Sequence, residues 1–389
     1  MKYVKIKEVA EVVSGSTPKT NIDEYWNGEY NWITPKEINE NSKYIFDTER
    51  RITKEGAESC SLKELKKNTV LLTSRAPIGK VALVGKNMYC NQGFKNLVCN
   101  EQVINPEYMY YWLKSQNQYL NSLGRGATFK EISKKIVEDI EIPIQDIETQ
   151  NKIVEVLDKA QDLIDKKIEQ IDLLDELVKS RFIEMFGNPV SNLKGWKKMT
   201  LNDISMKKGE YGSGESAVEY KENYPRYIRI TDIDDNGKLN NSKMTVNNLD
   251  EYEKYKLNDG DILFARTGAT VGKTFLYKEV YGKCLFAGYL IRFIPNKDII
   301  SPEFLFAFTK TDFYKSWIKS KQNVVAQPNI NAKQYGSLEI PIPPIKLQNE
   351  FAAFVEKVNS VRAAAEKSLQ QLNDNFNSLM QKAFKGELF

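Results

Sequence analysis

Glu141-Ile-Pro-Ile-Gln-Asp-Ile-Glu-Thr-Gln150 returns half a chain later as Glu339-Ile-Pro-Ile-Pro-Pro-Ile-Lys-Leu-Gln348. Working outward from this pair, further partners fall in the same order. Trp32–Ile38 answers Tyr227–Ile233, Val70–Lys80 answers Ile262–Lys273, and Pro106–Leu113 answers Pro302–Thr309. Co-linear matches of this kind mark one unit written twice. The spacing between partners drifts along the chain, so the loops differ between copies. Each copy opens with a mixed part of short alternating strands and turn signals such as Asn236-Gly237 and Asp259-Gly260. Pro106 and Pro302 suit the first turn of a helix within it.

The part after each repeated stretch is helical. No Pro or Gly appears between Pro143 and Gly187. Ile153, Leu157, Ala160, Ile164, Ile171, Leu174 and Val178 then follow spacings of three and four, with the Lys167 stem filling the gap. Gly187-Asn-Pro189 stops this helix. The second copy carries Phe351, Phe354, Val358, Val361, Ala365, Leu369, Leu372, Phe376, Leu379 and Ala383. Its Val361–Ala365–Leu369 step interrupts the heptad like a stutter. Two such seams in one chain are expected to pack on each other.

Composition narrows the function. The 389 residues are 41% hydrophobic and 28% charged, an ordinary globular balance. The formal net charge is +4. Residues 1–145 carry +3, 146–184 carry −5, 185–344 carry +5 and 345–389 carry +1, so both mixed parts are basic and lean toward an anionic partner. No histidine is present, which removes Ser–His and Cys–His nucleophile pairs and His-ligated metals. Cys60, Cys90, Cys99 and Cys284 lack Cys-x-x-Cys spacing, and reduced thiols in packed positions are expected. No metal site and no cofactor is expected. No apolar run approaches the ~20 residues of a membrane span. The strand-like start Met1-Lys-Tyr-Val-Lys-Ile-Lys-Glu8 has no signal-peptide core, so a cytoplasmic protein with no membrane partner is expected.

Gly268-Ala-Thr-Val-Gly272-Lys273-Thr274 looks like a phosphate loop but has three residues between its glycines where four are needed. A strand-like run follows it, and the other copy keeps only Gly79-Lys80, so a hairpin turn carrying a basic residue is the better reading. Polar loops carry more. Ser14–Lys19, Gly124–Lys130, Tyr211–Ser216 and Ala326–Asn331 are rich in residues that read base edges or hold phosphates, and they sit at matching places in both copies.

These residues together resemble the specificity subunit of type I restriction–modification systems, over essentially the whole chain. The resemblance rests on Ile142–Gln150 and Ile340–Gln348, the openings Ser14–Pro18 and Tyr211–Ala217, the Arg75–Gly79 turn and the Gln327-Pro-Asn-Ile330 loop. The first copy departs from that last pattern, reading Ala127-Thr-Phe-Lys130. The resemblance implies an α+β chain with an internal pseudo-twofold repeat. Its two similar mixed α/β target-recognition domains, 1–145 and 187–343, are separated by two long antiparallel coiled-coil helices, 146–186 and 344–389. It implies a subunit without catalysis of its own that reads a bipartite, asymmetric site on double-stranded DNA. Its further partners would be two modification (adenine methyltransferase) subunits and restriction subunits. A non-catalytic dimerising scaffold whose mixed domains bind protein is the alternative, and an enzyme with a carboxylate-only metal site is a third.

The candidates to face DNA are Arg75, Lys80 and Lys130 in the first domain, with Arg266, Lys273, Gln327 and Asn329 in the second. Arg75 and Arg266 are expected at equivalent places in the repeat. If the helices pack antiparallel, their length helps to set the distance between half-sites.

Overall fold

Two buried glutamines explain why the opening stretch occurs twice. The computed structural model spans the chain and describes all residues except 40–41, 76, 127–129 and 323–328. Gln150 accepts the Asn105 N–H at 2.9 Å and donates to the carbonyls of Val103 and Gln145 at 3.0 and 2.9 Å. Gln348 accepts the Ser301 N–H at 2.9 Å and donates to Ile299 and Pro343 at 3.1 and 2.8 Å. Asn105 and Ser301 are the N-caps of the helices Pro106–Ser115 and Pro302–Phe308, both of which begin on the proline. Each glutamine therefore fastens the first turns of a long helix to the start of a shorter one. Both are fully buried, so every one of these bonds must be made inside the protein.

The Ile-Pro-Ile segments just before them are edge strands. Glu141–Ile144 pairs antiparallel with Lys2–Lys5, and Glu339–Ile342 with Lys197–Thr200. Each pair forms a two-stranded sheet. That is where a proline without an N–H is tolerated.

The chain forms two compact units. The first is Met1–Ile168 with Ser368–Phe389, the second Glu169–Lys367. In the first, Ala10–Ser14, Lys95–Cys99, Val70–Leu72, Val81–Val84 and Tyr44–Ile45 make a five-stranded sheet in that order. Arg50–Ile52, Trp26–Ile33 and Tyr89–Cys90 form a second sheet. In the second unit, Glu210–Tyr211, Leu290–Phe293, Ile262–Ala265 and Thr274–Leu276 are the counterpart of the larger sheet, and Arg226–Ile228 runs parallel to Cys284–Phe286.

Long helices cover Ile147–Phe186 and Ile345–Lys385. In the first unit Ile153, Leu157 and Ile164 share a core with Phe376, Met380 and Ala383. In the second, Phe182 and Phe186 pack edge-on against Phe351, and Arg362 pairs with Asp175. In the second unit Asp175 meets Arg362 while the later Phe186 meets the earlier Phe351, so there the two helices run antiparallel. Val361 corrects the expected seam, being 50% exposed while Val358 and Ala365 are buried. At the stutter the heptad loses phase, and the Arg362–Asp175 pair takes the inward place.

All four cysteines are free. Burial pushes the Cys90 thiol up to about 12 and that of Cys284 up to about 11. Among the described residues no helix is long and apolar enough to cross a membrane.

Candidate nucleic-acid interface

Each unit presents one hairpin beside its polar loops. Val70–Leu72 pairs with Val81–Val84, and Ile262–Ala265 with Thr274–Leu276. Gly79 and Gly272 close the turns at φ of +90° and +91°, a conformation only glycine adopts freely. Thr274–Leu276 is a strand, not the helix a phosphate loop needs. Thr73 N–H donates to the Lys80 carbonyl and Ala265 N–H to that of Lys273, both at 2.9 Å. Thr73 therefore matches Ala265, Ser74 matches Arg266, and Arg75 matches Thr267.

This corrects the expected equivalence of Arg75 and Arg266 by one residue. The second turn is one residue longer, and its extra residue lies beyond Thr267, so the two arginines fall out of step. The next strand confirms the register. Ile132 N–H donates to the Ser74 carbonyl at 3.0 Å, and Ile330 N–H to that of Arg266 at 2.9 Å. Arg75 then bridges Glu131, and Thr267 bridges Asn329. On an extended strand a one-residue slip turns a side chain to the other face.

In the second unit the Arg266 guanidinium lies over the Tyr211 ring, 4.7 Å from its centroid. Its Nε donates to Asn329 Oδ1 at 3.4 Å. The Tyr211 hydroxyl accepts the Ala332 N–H at 3.1 Å, at the start of the short helix Ala332–Gly336. Tyr289 stands in the turn just before the neighbouring strand Leu290–Phe293, its carbonyl accepting the Arg266 N–H at 3.1 Å. Tyr211 is 41% and Tyr289 61% exposed. Arginine, amide and two tyrosines thus share one accessible patch.

The same four positions in the first unit, by strand register and hydrogen bonds, are Ser74, Glu131, Ser14 and Gly93. The cation comes from another strand. Lys95, where the second unit has Ile291, is 7% exposed. Its Nζ lies 3.1 Å from Glu131 Oε1 and 3.5 Å from Ser74 Oγ. Arg125 exchanges backbone hydrogen bonds with Glu131 at 3.0 and 2.9 Å. Arg75 is half-buried and Lys130 exposed.

Lys80 and Lys273 are braces. Lys80 Nζ donates to the Ile38 carbonyl at 2.7 Å, and Lys273 Nζ to that of Ile233 at 3.3 Å. Lys273 also pairs with Asp235 at 3.1 Å. Gln327 lies outside the described residues. The opening loops are fixed alike in both units. A Cβ on Gly15 would meet the Asn91 carbonyl oxygen at 2.0 Å, and one on Gly212 that of Phe286 at 2.3 Å. Trp32 Nε1 donates to the Ser16 carbonyl and the Tyr227 hydroxyl to that of Ser213.

Tyr289, Lys95, Glu131 and Arg125 are not among the candidates read from sequence, and Tyr211 is there only as the start of a polar loop. Tyr211 and Arg125 at least stand inside quoted loops. Nothing along the chain marks Lys95, whose surroundings come from the strands beside it. Among the described residues no group of three or more Cys, Asp or Glu side chains is placed to hold a metal ion.

A scaffold repeated twice, with side chains replaced at matching surface positions, defines a recognition protein. The chain belongs to the family of the type I restriction modification DNA specificity domain, which it matches over residues 1–173 and 193–374. It is 29% identical to the type I restriction enzyme MjaIX specificity subunit of Methanocaldococcus jannaschii, over 99% of this chain and 92% of that one. It is 22% identical to the EcoBI specificity subunit of Escherichia coli, over 77% and 69%. The S subunit from M. genitalium shares the fold, with a TM-score of 0.54 at 18% identity over 98% and 96% of the two chains. A chain from a type I R-M system structure does so with a TM-score of 0.60 at 18% identity, over 100% and 98%. The family role is that of the DNA-recognition subunit, which is not the catalytic one.

Proposed function

We propose that this chain reads a bipartite, asymmetric site on double-stranded DNA, one half-site per unit. It does so as the specificity subunit that two adenine-methyltransferase modification subunits and restriction subunits join, in the cytoplasm. One observation carries the reading: two units of the same design bear different side chains at the same surface place, as unlike half-sites require. Glu131 and Lys130 in the first unit, with Arg75 one residue off that patch, and Arg266 and Asn329 in the second are assigned as the DNA-facing side chains. Lys80 and Lys273 act through the hairpins that they brace. Leu163, Leu173 and Leu177, each about half exposed on the first long helix, suit partner subunits that cover the helix.

The test is methylome sequencing of a host carrying this chain with its modification subunits. A two-part asymmetric motif, absent without the chain, is the expected result. A protein-binding scaffold would leave no such motif. Inserting one turn near Asp165, with a matching turn in the partner helix, should lengthen the unread spacer and leave both half-site sequences as they were.

A further inference from the structure

We infer that the two units read chemically opposite base edges. Arg266 in the second unit takes a base with two acceptors, a guanine. Glu131 in the first takes a base presenting an exocyclic amine, a cytosine or an adenine. This rests on the proposal that each unit reads one half-site.

The argument starts from the matched positions. Arg266 and Ser74 occupy one place in the hairpin, Asn329 and Glu131 one place in the adjoining strand. In the second unit this place holds a planar cation, stacked on Tyr211 and held at Nε by Asn329. That contact uses Nε and leaves the two terminal nitrogens as a donor fork. A fork of this kind matches the O6 and N7 acceptors of guanine in the major groove. The stack under the guanidinium limits its rotation, so part of the ordering cost is met before DNA arrives.

In the first unit the same place has no such fork. Ser74 is fully buried, and Glu131 is the polar side chain at the surface. A carboxylate there repels phosphate and the acceptor edge of guanine. It accepts from the N4 amine of cytosine or the N6 amine of adenine. Lys95 supplies what makes such a carboxylate tenable. Buried behind it and bonded through Oε1, it fixes the direction in which the carboxylate points. Tyr211 and Lys95 are positioning residues in this scheme, each acting through its neighbour.

The experiment is methylome sequencing with the chain assembled with its modification subunits. Arg266→Ala should turn one guanine of one half-site degenerate, lowering discrimination there roughly 10- to 100-fold, and leave the other half-site unchanged. Glu131→Gln should relax one cytosine or adenine in the opposite half-site. Thermal unfolding accompanies each variant. If Arg266→Ala fails to fold, Arg266→Lys keeps charge and stem without the fork and should relax the same guanine. Glu131→Asp, with a shorter reach, serves likewise for the carboxylate. Folded Arg266 variants that keep the wild-type motif, or relaxation at a position other than guanine, would overturn the assignment of Arg266. A folded Glu131 variant with an unchanged motif would overturn that of Glu131. A wild-type assembly with no two-part motif would instead overturn the half-site reading itself.

Discussion

The two units agree at the joints that fasten their helices and opening loops, and disagree at the exposed patch. Gln150 and Gln348 make the same three kinds of bond to the same places, and Gly15 and Gly212 fill the same close approach. At the patch every matched side chain differs, and the cation moves from Arg266, just past the end of Ile262–Ala265, to Lys95 on the strand Lys95–Cys99. Scaffold and reading surface are thus separable. A substitution in the first class should cost stability, and one in the second should cost discrimination.

The largest effect tests where the units differ inside the core. Arg292 pairs with Glu210 at 2.6 Å and Asp261 at 3.5 Å, and the matching position in the first unit is Asn96. Burial raises the Asp261 pKa, so removing its cation strands a charge that is already costly. Arg292→Met should destabilise the second unit by about 3–5 kcal/mol. Asn96→Ala should cost the first unit less, about 1–2 kcal/mol, since it removes a neutral group. Equal losses in denaturant unfolding would erase this contrast.

Next comes the shared latch. Gln150→Leu and Gln348→Leu each strand one N–H and two carbonyls, at about 3 kcal/mol. The two losses should be alike. A unit that tolerates the change would show that its latch is ornamental.

A pH effect belongs to the second unit. Burial holds the Lys310 ammonium down to about 8 from its ordinary 10.5, beside Asp234 and Asp235. Between those values the unfolded chain binds more protons than the folded one, so stability should rise with pH across that window. Allowing for partial exposure, the gain is about 1–2 kcal/mol. Lys310→Met should abolish the rise, measured as the difference in thermal unfolding between pH 7.5 and 10. The smallest effect is on the helix surface, where Lys166→Ala breaks an exposed pair with Asp162 and should cost a few tenths of a kcal/mol.

The sequence displays the repeat, both long helices and the hairpins because each is a local pattern of spacing, proline and glycine. The buried glutamines stand in the repeated stretch, though their partners 45 and 47 residues upstream do not announce themselves. The patch is harder. Arg75 and Arg266 look equivalent because both open a turn that ends in Gly-Lys. Which residue faces which is decided by the neighbouring strand, through Ile132 and Ile330. Lys80 and Lys273 carry a charge that suggests DNA, yet a carbonyl across the domain claims each ammonium. Val361 fits the heptad on paper and misses the seam once the stutter shifts the phase.

The make-up of the units also bears on the order of synthesis. The second unit is a single run, Glu169–Lys367, whereas the first draws on Ser368–Phe389 to cover Tyr108, Tyr111 and the start of the first long helix. A ribosome makes Met1–Ile168 first, yet that unit cannot close until the last of these segments has emerged. The unit begun first is therefore finished last. During the interval, at about 5–20 residues per second, its apolar face stays open to chaperones and to other chains.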